Sequence, residues 1–483
     1  MVIDHRLKLI MKKQDLVRVF VKGGILSPGD FKKIIVTAKN LGTDYVHFGS
    51  RQDILFPVKE KNKEVLDATF KSINTEYEIN EFTHQNIVSS YVALDLMPNR
   101  KWLVPHVYHY IIDSFEFKPK YRINLVDPMQ SMVPLFTGNI NFIASKTDNF
   151  WYLYVRFKTM DNRSISYPKL IYGYDLSKVA TAICSLDMDS GLFDEKDIFG
   201  LIDKLDINTI NPEEELKFPS NNFPYYEGLN REAGGNYWLG LYWRNNQFNI
   251  NFLIHLCDRC METNVGKISL TPWKSFVVKG IEPTHLIGWE KLMGRFGMNL
   301  RHSSLELNWH LPVLHDKALE LKNYLVRALD QQDISTSGLT FTVKPDNDIY
   351  LFTSVVIEMN PTTNGVSTYN ILYSKNFNPN ESEYITYVKN ATKEVLPALL
   401  IELSQMYYDQ LDETQTIPKK KEKVVAPDTR EVHQCINCLG IYDDQYGDSE
   451  AGIAPGVLFS QLPKDYSCPT CGTSIIDFLL LKA

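Results

Sequence analysis

Long apolar runs are missing from this 483-residue chain. None approaches the ~18 residues that a membrane-spanning helix needs, which argues against a helical membrane protein. The first twenty residues, MVIDHRLKLIMKKQDLVRVF, scatter charges among their apolar positions, so they do not read as an export signal. A basic excess is missing as well. Lys and Arg number 51 against 58 Asp and Glu, for a net charge of −7. No basic stripe interleaves with aromatics, so nucleic acid is not expected as a partner. Cysteine is scarce over most of the length: Cys184, Cys257 and Cys260 serve the first nine-tenths. Four of the seven, Cys435, Cys438, Cys468 and Cys471, crowd into the last tenth. Without an export signal, such crowding points to metal binding sooner than to disulfides. The expectation is a cytoplasmic protein with no membrane partner.

What is present suffices for several cores. Hydrophobic residues make up 44% of the chain, and one core rarely serves more than roughly 250–300 residues. At least two domains are expected. From Leu411, the stretch LDETQTIPKKKEKVVAPDTREVH has two prolines, a lysine run and no apolar periodicity. It reads as a linker over residues 411–432, with Lys419, Lys420, Lys421 and Lys423 as a solvated tether.

An internal repeat organises the part before it. In GGILSPGDFKKIIVTAKNLGTDYVHFGSRQDILFPV, Ser27 and Pro28 suit a helix start, and Phe31, Ile34, Ile35, Ala38 and Leu41 form one apolar stripe. Gly42 ends the helix, and two strands follow around a turn holding Ser50, Arg51 and Gln52. Moving 222 residues on, Leu253, Leu256, Cys257 and Cys260 fall on Phe31, Ile34, Ile35 and Ala38 without a gap. Cys257 and Cys260 are therefore expected in a core, although their C-x-x-C spacing also suits a metal. The register predicts two related α+β halves.

These residues resemble the sirohaem-dependent nitrite and sulfite reductases over most of residues 15–410. The likeness rests on Gly23 and Gly24 before the first helix, Arg51 and Gln52 after its strand, and the turn Thr271, Pro272, Trp273 in the second half. HQNIVSSYVALD and KPKYRINLVDP look like the family's following segments. The resemblance implies an α+β fold. It has ferredoxin-like half-domains at 1–75 and 216–302, and reductase-like α/β domains at 76–215 and 303–410. Family members also hold a [4Fe-4S] cluster on four cysteines, coupled to sirohaem. Here LELNWHLPVLHDK and VKPDNDIYLFTS occupy those stretches and hold no cysteine, so no [4Fe-4S] cluster and no six-electron reduction are expected. Arg51, Lys120 and Arg122 match basic positions of the family's anion pocket, and Gln85 stands where an Arg would. Two readings stay open for these three: a retained anion or tetrapyrrole pocket, or a turn cap and a strand edge facing water.

In the last segment, C-x₂-C at Cys435 and Cys438 is followed, after 29 intervening residues, by C-P-x-C-G from Cys468 to Gly472. Two such turns supply four thiolates in a tetrahedron, which suits iron or zinc. Between them lie Tyr442-Asp443, Gly447-Asp448, Gly452-Ile453, Pro455-Gly456, Phe459 and Leu462-Pro463. Residues 433–483 thus resemble rubredoxin, a small metal-bound β domain. The resemblance implies one iron on the four cysteines and one-electron transfer. It also implies redox protein partners, namely a reductase as donor and an acceptor such as an assimilatory reductase. Leu439 departs from the pattern where a glycine normally follows the second cysteine, and Tyr466 stands in for a Trp. The leading expectation is an electron-transfer protein serving nitrite, nitrate or sulfite assimilation, with a non-catalytic body. Its rivals are a sirohaem-binding reductase fed by its own rubredoxin and a redox-silent zinc-ribbon scaffold.

Overall fold

Ser27 and Asn249 start the two helices that organise most of the molecule. In the computed structural model their side-chain oxygens accept the backbone N–H of Asp30 and Phe252, opening helices Pro28–Asn40 and Ile250–Glu262. Each cap satisfies a donor that the first helical turn leaves without a partner. Both ends of the second helix lie 222 residues beyond those of the first. The structure describes residues 15–414 and 431–482, apart from 61, 82, 95, 97–102, 161–162, 220–222, 233, 299, 301–303, 346–350, 362–366 and 382. It divides into two compact units, Met1–Asp412 and Glu413–Ala483.

In the larger unit each helix is followed by an antiparallel strand pair, Tyr45–Phe48 with Ile54–Val58 and Ile268–Leu270 with Phe276–Ile281. The halves also exchange a strand. Phe248–Asn249 adds to the first half, with Phe248 opposite Val46; Ile25–Leu26 adds to the second, with Leu26 opposite Ile268. These are one contact made twice, at the register of the repeat. Two five-stranded antiparallel sheets result. Their apolar faces and both helices share one core, in which Phe48 packs edge-on against Phe248 and Phe276 at 4.7 and 5.4 Å. Cys257 and Cys260 are fully buried in it.

The α/β layers repeat too. Strands Ile87–Ser89, Ile123–Val126 and Ile140–Ala144 run parallel, and Phe150–Val155 turns back antiparallel. Trp309–His310, Phe341–Lys344 and Val355–Met359 do the same, with Tyr369–Ser374 turning back. The closing helix Leu396–Thr414 lays Leu396, Leu400, Leu403 and Tyr407 on the second layer's core, one turn apart, with Leu411 packed against it. That stripe carries the helix past Leu411, so the linker expected from 411 has its first four residues in helix. Residues 415–430, with the lysine run, lie outside the described residues.

The smaller unit is a three-stranded sheet of Ile441–Tyr442, Glu431–Cys435 and Phe478–Lys482, over a core of Tyr442, Leu462 and Tyr466. No helix among the described residues is long and apolar enough to cross a membrane.

Candidate metal centre

Two copies of one turn build the site. In the first, Cys435 N–H donates to the Gly440 carbonyl at 2.8 Å and Leu439 N–H to the Cys435 carbonyl at 3.0 Å. In the second, Cys468 N–H donates to Thr473 at 2.8 Å and Gly472 N–H to Cys468 at 2.7 Å. The residue after each second cysteine must turn left-handed, with φ +72° at Gly472 and +62° at Leu439. Leu439 thus keeps the turn that its missing glycine would have made, against the steric preference of an L residue. Gly440 has another task. A Cβ there would stand 3.3 Å from the Cys438 sulfur and 3.7 Å from that of Cys468, so its lack of a side chain keeps backbone close to the sulfurs.

The four sulfurs lie within 4.8 Å of one another. Cys435 and Cys471 are 3.5 Å apart and Cys438 and Cys468 3.4 Å. Metal–sulfur bonds of ~2.3 Å arranged as a tetrahedron give edges of about 3.8 Å, so the cage has the size of one ion. Cys435 and Cys468 are buried, and Cys438 and Cys471 are half-buried. Burial opposes a thiolate at Cys435, but the N–H groups of Cys438 and Asn437 outweigh it and bring the thiol down to about 6. At Cys438 the Gly440 N–H acts the same way, yet the sulfurs of Cys468 and Cys471 prevail and push it up to about 12. The Thr473 hydroxyl lies 3.0 Å from the Cys471 sulfur and holds that thiol low. Four backbone N–H groups, those of Asn437, Cys438, Gly440 and Thr473, and one hydroxyl therefore serve negative charge on sulfur. Behind the cage, Phe459 contacts Tyr442 and Phe478 at 5.7 and 5.4 Å, and Tyr466 donates to Asp448 at 2.8 Å. Tyr466 fills the aromatic place expected of a Trp.

In the larger unit Arg51 is buried. Its guanidinium donates to Asn124 Oδ1 and the carbonyls of Asn86 and Ile123, each at 2.7 Å, and to Thr137 Oγ1 at 3.4 Å. Arg122 is half-buried beside strand Ile123–Val126. Burial raises the carboxyl of Asp53, and the charges of Arg18, Arg51 and Arg122 all pull it back; Arg18 lies 4.0 Å from it. Lys120 does not join them; it pairs with Asp187 at 3.0 Å in solvent. Lys274 went unnoticed in the sequence. It stands 222 residues after Gln52 and shares its left-handed backbone, φ +58° against +57°, so the repeat register was the signal that marked it.

Two matched turns converging four thiols on a one-ion cage define a mononuclear tetrathiolate domain. The family model described as Rubredoxin matches residues 432–478. Rubredoxin of Acinetobacter baylyi is 44% identical over 50 residues, which cover 10% of this chain and 93% of that protein. The chain belongs to the rubredoxin family through this domain. Rubredoxin-2 of Alcanivorax borkumensis is 48% identical over 46 residues, 10% of this chain and 26% of that protein; the chain thus spans about a quarter of that relative. The NirA protein of Mycobacterium tuberculosis superposes with a TM-score of 0.62 at 13% identity, covering 81% of this chain and 80% of that one. The body has that fold.

Proposed function

We propose that the protein is a cytoplasmic electron carrier whose Cys435, Cys438, Cys468 and Cys471 hold one iron. It serves nitrite, nitrate or sulfite assimilation, and its reductase-like body docks rather than catalyses. The observation that carries this reading is the four-sulfur cage inside a domain matched by the rubredoxin family. Iron in such a site supplies a single-electron couple. The chain's own groups do the rest. N–H groups of Asn437, Cys438 and Gly440, with the Thr473 hydroxyl, face the sulfurs and favour the more negative state. Tyr442, Tyr466, Phe459 and Phe478 keep water from the buried side, and the half-buried sulfurs of Cys438 and Cys471 bring the site to the surface. In the sequence of this domain Glu431, Asp443, Asp444, Asp448, Glu450, Asp465 and Asp477 outnumber Lys464 and Lys482, which suits a basic redox partner.

Sirohaem is the group that the likeness to the reductases implies for the body, and the residues present do not fit it. Arg51 donates from both terminal nitrogens to protein oxygens and Lys120 sits in a surface ion pair. The two stretches that would bear cluster cysteines have none. The visible spectrum of full-length protein made with ample iron tests the reading. Colour that bleaches on reduction, with no haem-like band, is expected. A haem-like band lost in Arg51→Ala would move the function to a tetrapyrrole reductase, and a colourless zinc protein would move it to a scaffold.

A further inference from the structure

A small, partly enclosed cavity of about 60 Å³ lies within the larger unit, between strand Tyr45–Phe48, the turns at Asn245 and Lys274, and the segment from Glu306 to Lys322. Arg51, Lys120 and Arg122 do not line it. Two lysines do, and both are buried, Lys274 at 5% exposure and Lys322 at 2%. Lys322 has its counter-charge, with Nζ 2.7 Å from Glu306, which also receives Arg244 at 3.0 Å. Lys274 has none. Its Nζ donates to the Leu311 carbonyl, and no carboxylate pairs with it among the described residues. Buried charges are ordinarily paired, because an ammonium that leaves water needs an opposite charge to replace its hydration. The turn that presents it is itself strained, with Lys274 at φ +58°. A second donor waits nearby: Trp309, 3% exposed and lining the same cavity, has no acceptor for its indole N–H among the described residues.

We infer that this cavity binds a small monoanion, a carboxylate or an inorganic oxyanion, with Lys274 as its counter-ion and Trp309 as a flanking donor. The other ionisable groups on the walls leave that role open. Burial holds His47 down at about 4, so it is neutral, and it lowers His310 beside the cavity as well. Glu306 is answered by Lys322 and Arg244. Asp316 and His315 also line the cavity, at the start of helix Asp316–Gln331, and no ion pair joins Asp316 to Lys274 among the described residues. Burial and the charge of Lys322 push Lys274 down to about 7. An arriving anion favours its charged form, so binding above neutrality takes up a proton. The inference is independent of the electron-transfer reading.

Isothermal titration of the full-length protein at pH 8, with sodium formate and sodium nitrate as separate probes at constant ionic strength, tests it. One saturable site per chain is expected for at least one probe, with proton uptake shown by the dependence of the heat on buffer. Formate alone identifies a carboxylate site and nitrate alone an inorganic one. Lys274→Met should lose at least tenfold in affinity and Trp309→Phe a smaller factor, while surface Lys169→Met keeps it. No saturable binding of either probe, binding without proton uptake, or binding that survives Lys274→Met would each overturn the inference. If Lys274→Met does not fold, the wild-type proton uptake and Trp309→Phe decide it.

Discussion

Leu439 is where sequence and backbone geometry conflict most openly. It takes the left-handed turn that Gly472 takes in the second knuckle, and its side chain is 65% exposed. Packing recovers little of the strain, so Leu439→Gly should stabilise the iron-loaded domain by about 1 kcal/mol in chemical unfolding. Arg51 is the opposite case. Removing its guanidinium strands several buried acceptors, and Arg51→Met should destabilise the larger unit by roughly 3 kcal/mol. Lys274 gives a pH signature. The unfolded chain keeps its proton up to the ordinary 10.5, whereas the folded chain releases it near 7. Unfolding between those values takes up a proton, so stability from this group rises with pH. The penalty is complete below about 7. Lys274→Met should therefore gain roughly 5 kcal/mol at pH 6 in a zwitterionic buffer, and the gain should fade toward pH 10. The cysteines were legible because one ion fixes their spacing. Arg51 was legible as a residue but not as a hydrogen-bond hub, since Asn86 and Asn124 are distant in the chain.

At the scale of elements, the repeat determines more than its helix and two strands. Gly23 and Gly24 turn left-handed at φ +63° and +70°, and Asn245 and Asn246 do so at +60° and +56°. Asparagine tolerates that region, so a Gly-Gly in one half became Asn-Asn in the other without losing the turn. The caps are equivalent as well: Ser27→Ala and Asn249→Ala should each cost about 1 kcal/mol in urea unfolding. The strand exchange was not legible. Ile25–Leu26 and Phe248–Asn249 are two residues long and pair with strands of the other half, where local periodicity carries no information. The second α/β layer was expected at 303–410 through the family resemblance and not from local periodicity, since its first strand is only Trp309–His310.

As a whole, the molecule joins a large unit with cores of its own to a small one that leans on its metal. Apart from its cysteines, the smaller unit buries only Val432, Tyr442, Leu462 and Tyr466 of its hydrophobic side chains among the described residues, too little to fold alone. Removing the metal should unfold it, while near-ultraviolet circular dichroism keeps the signal of the tryptophans, all of which lie in the larger unit. Its acidic excess should make electron transfer to a basic redox protein slow as salt rises. The most direct test is redox titration of the full-length protein, combined with metal analysis. One iron per chain, taking up and returning a single electron reversibly and lost in Cys435→Ser, is the predicted result. Zinc in place of iron in iron-replete protein, or an ion that accepts no electron, would contradict it.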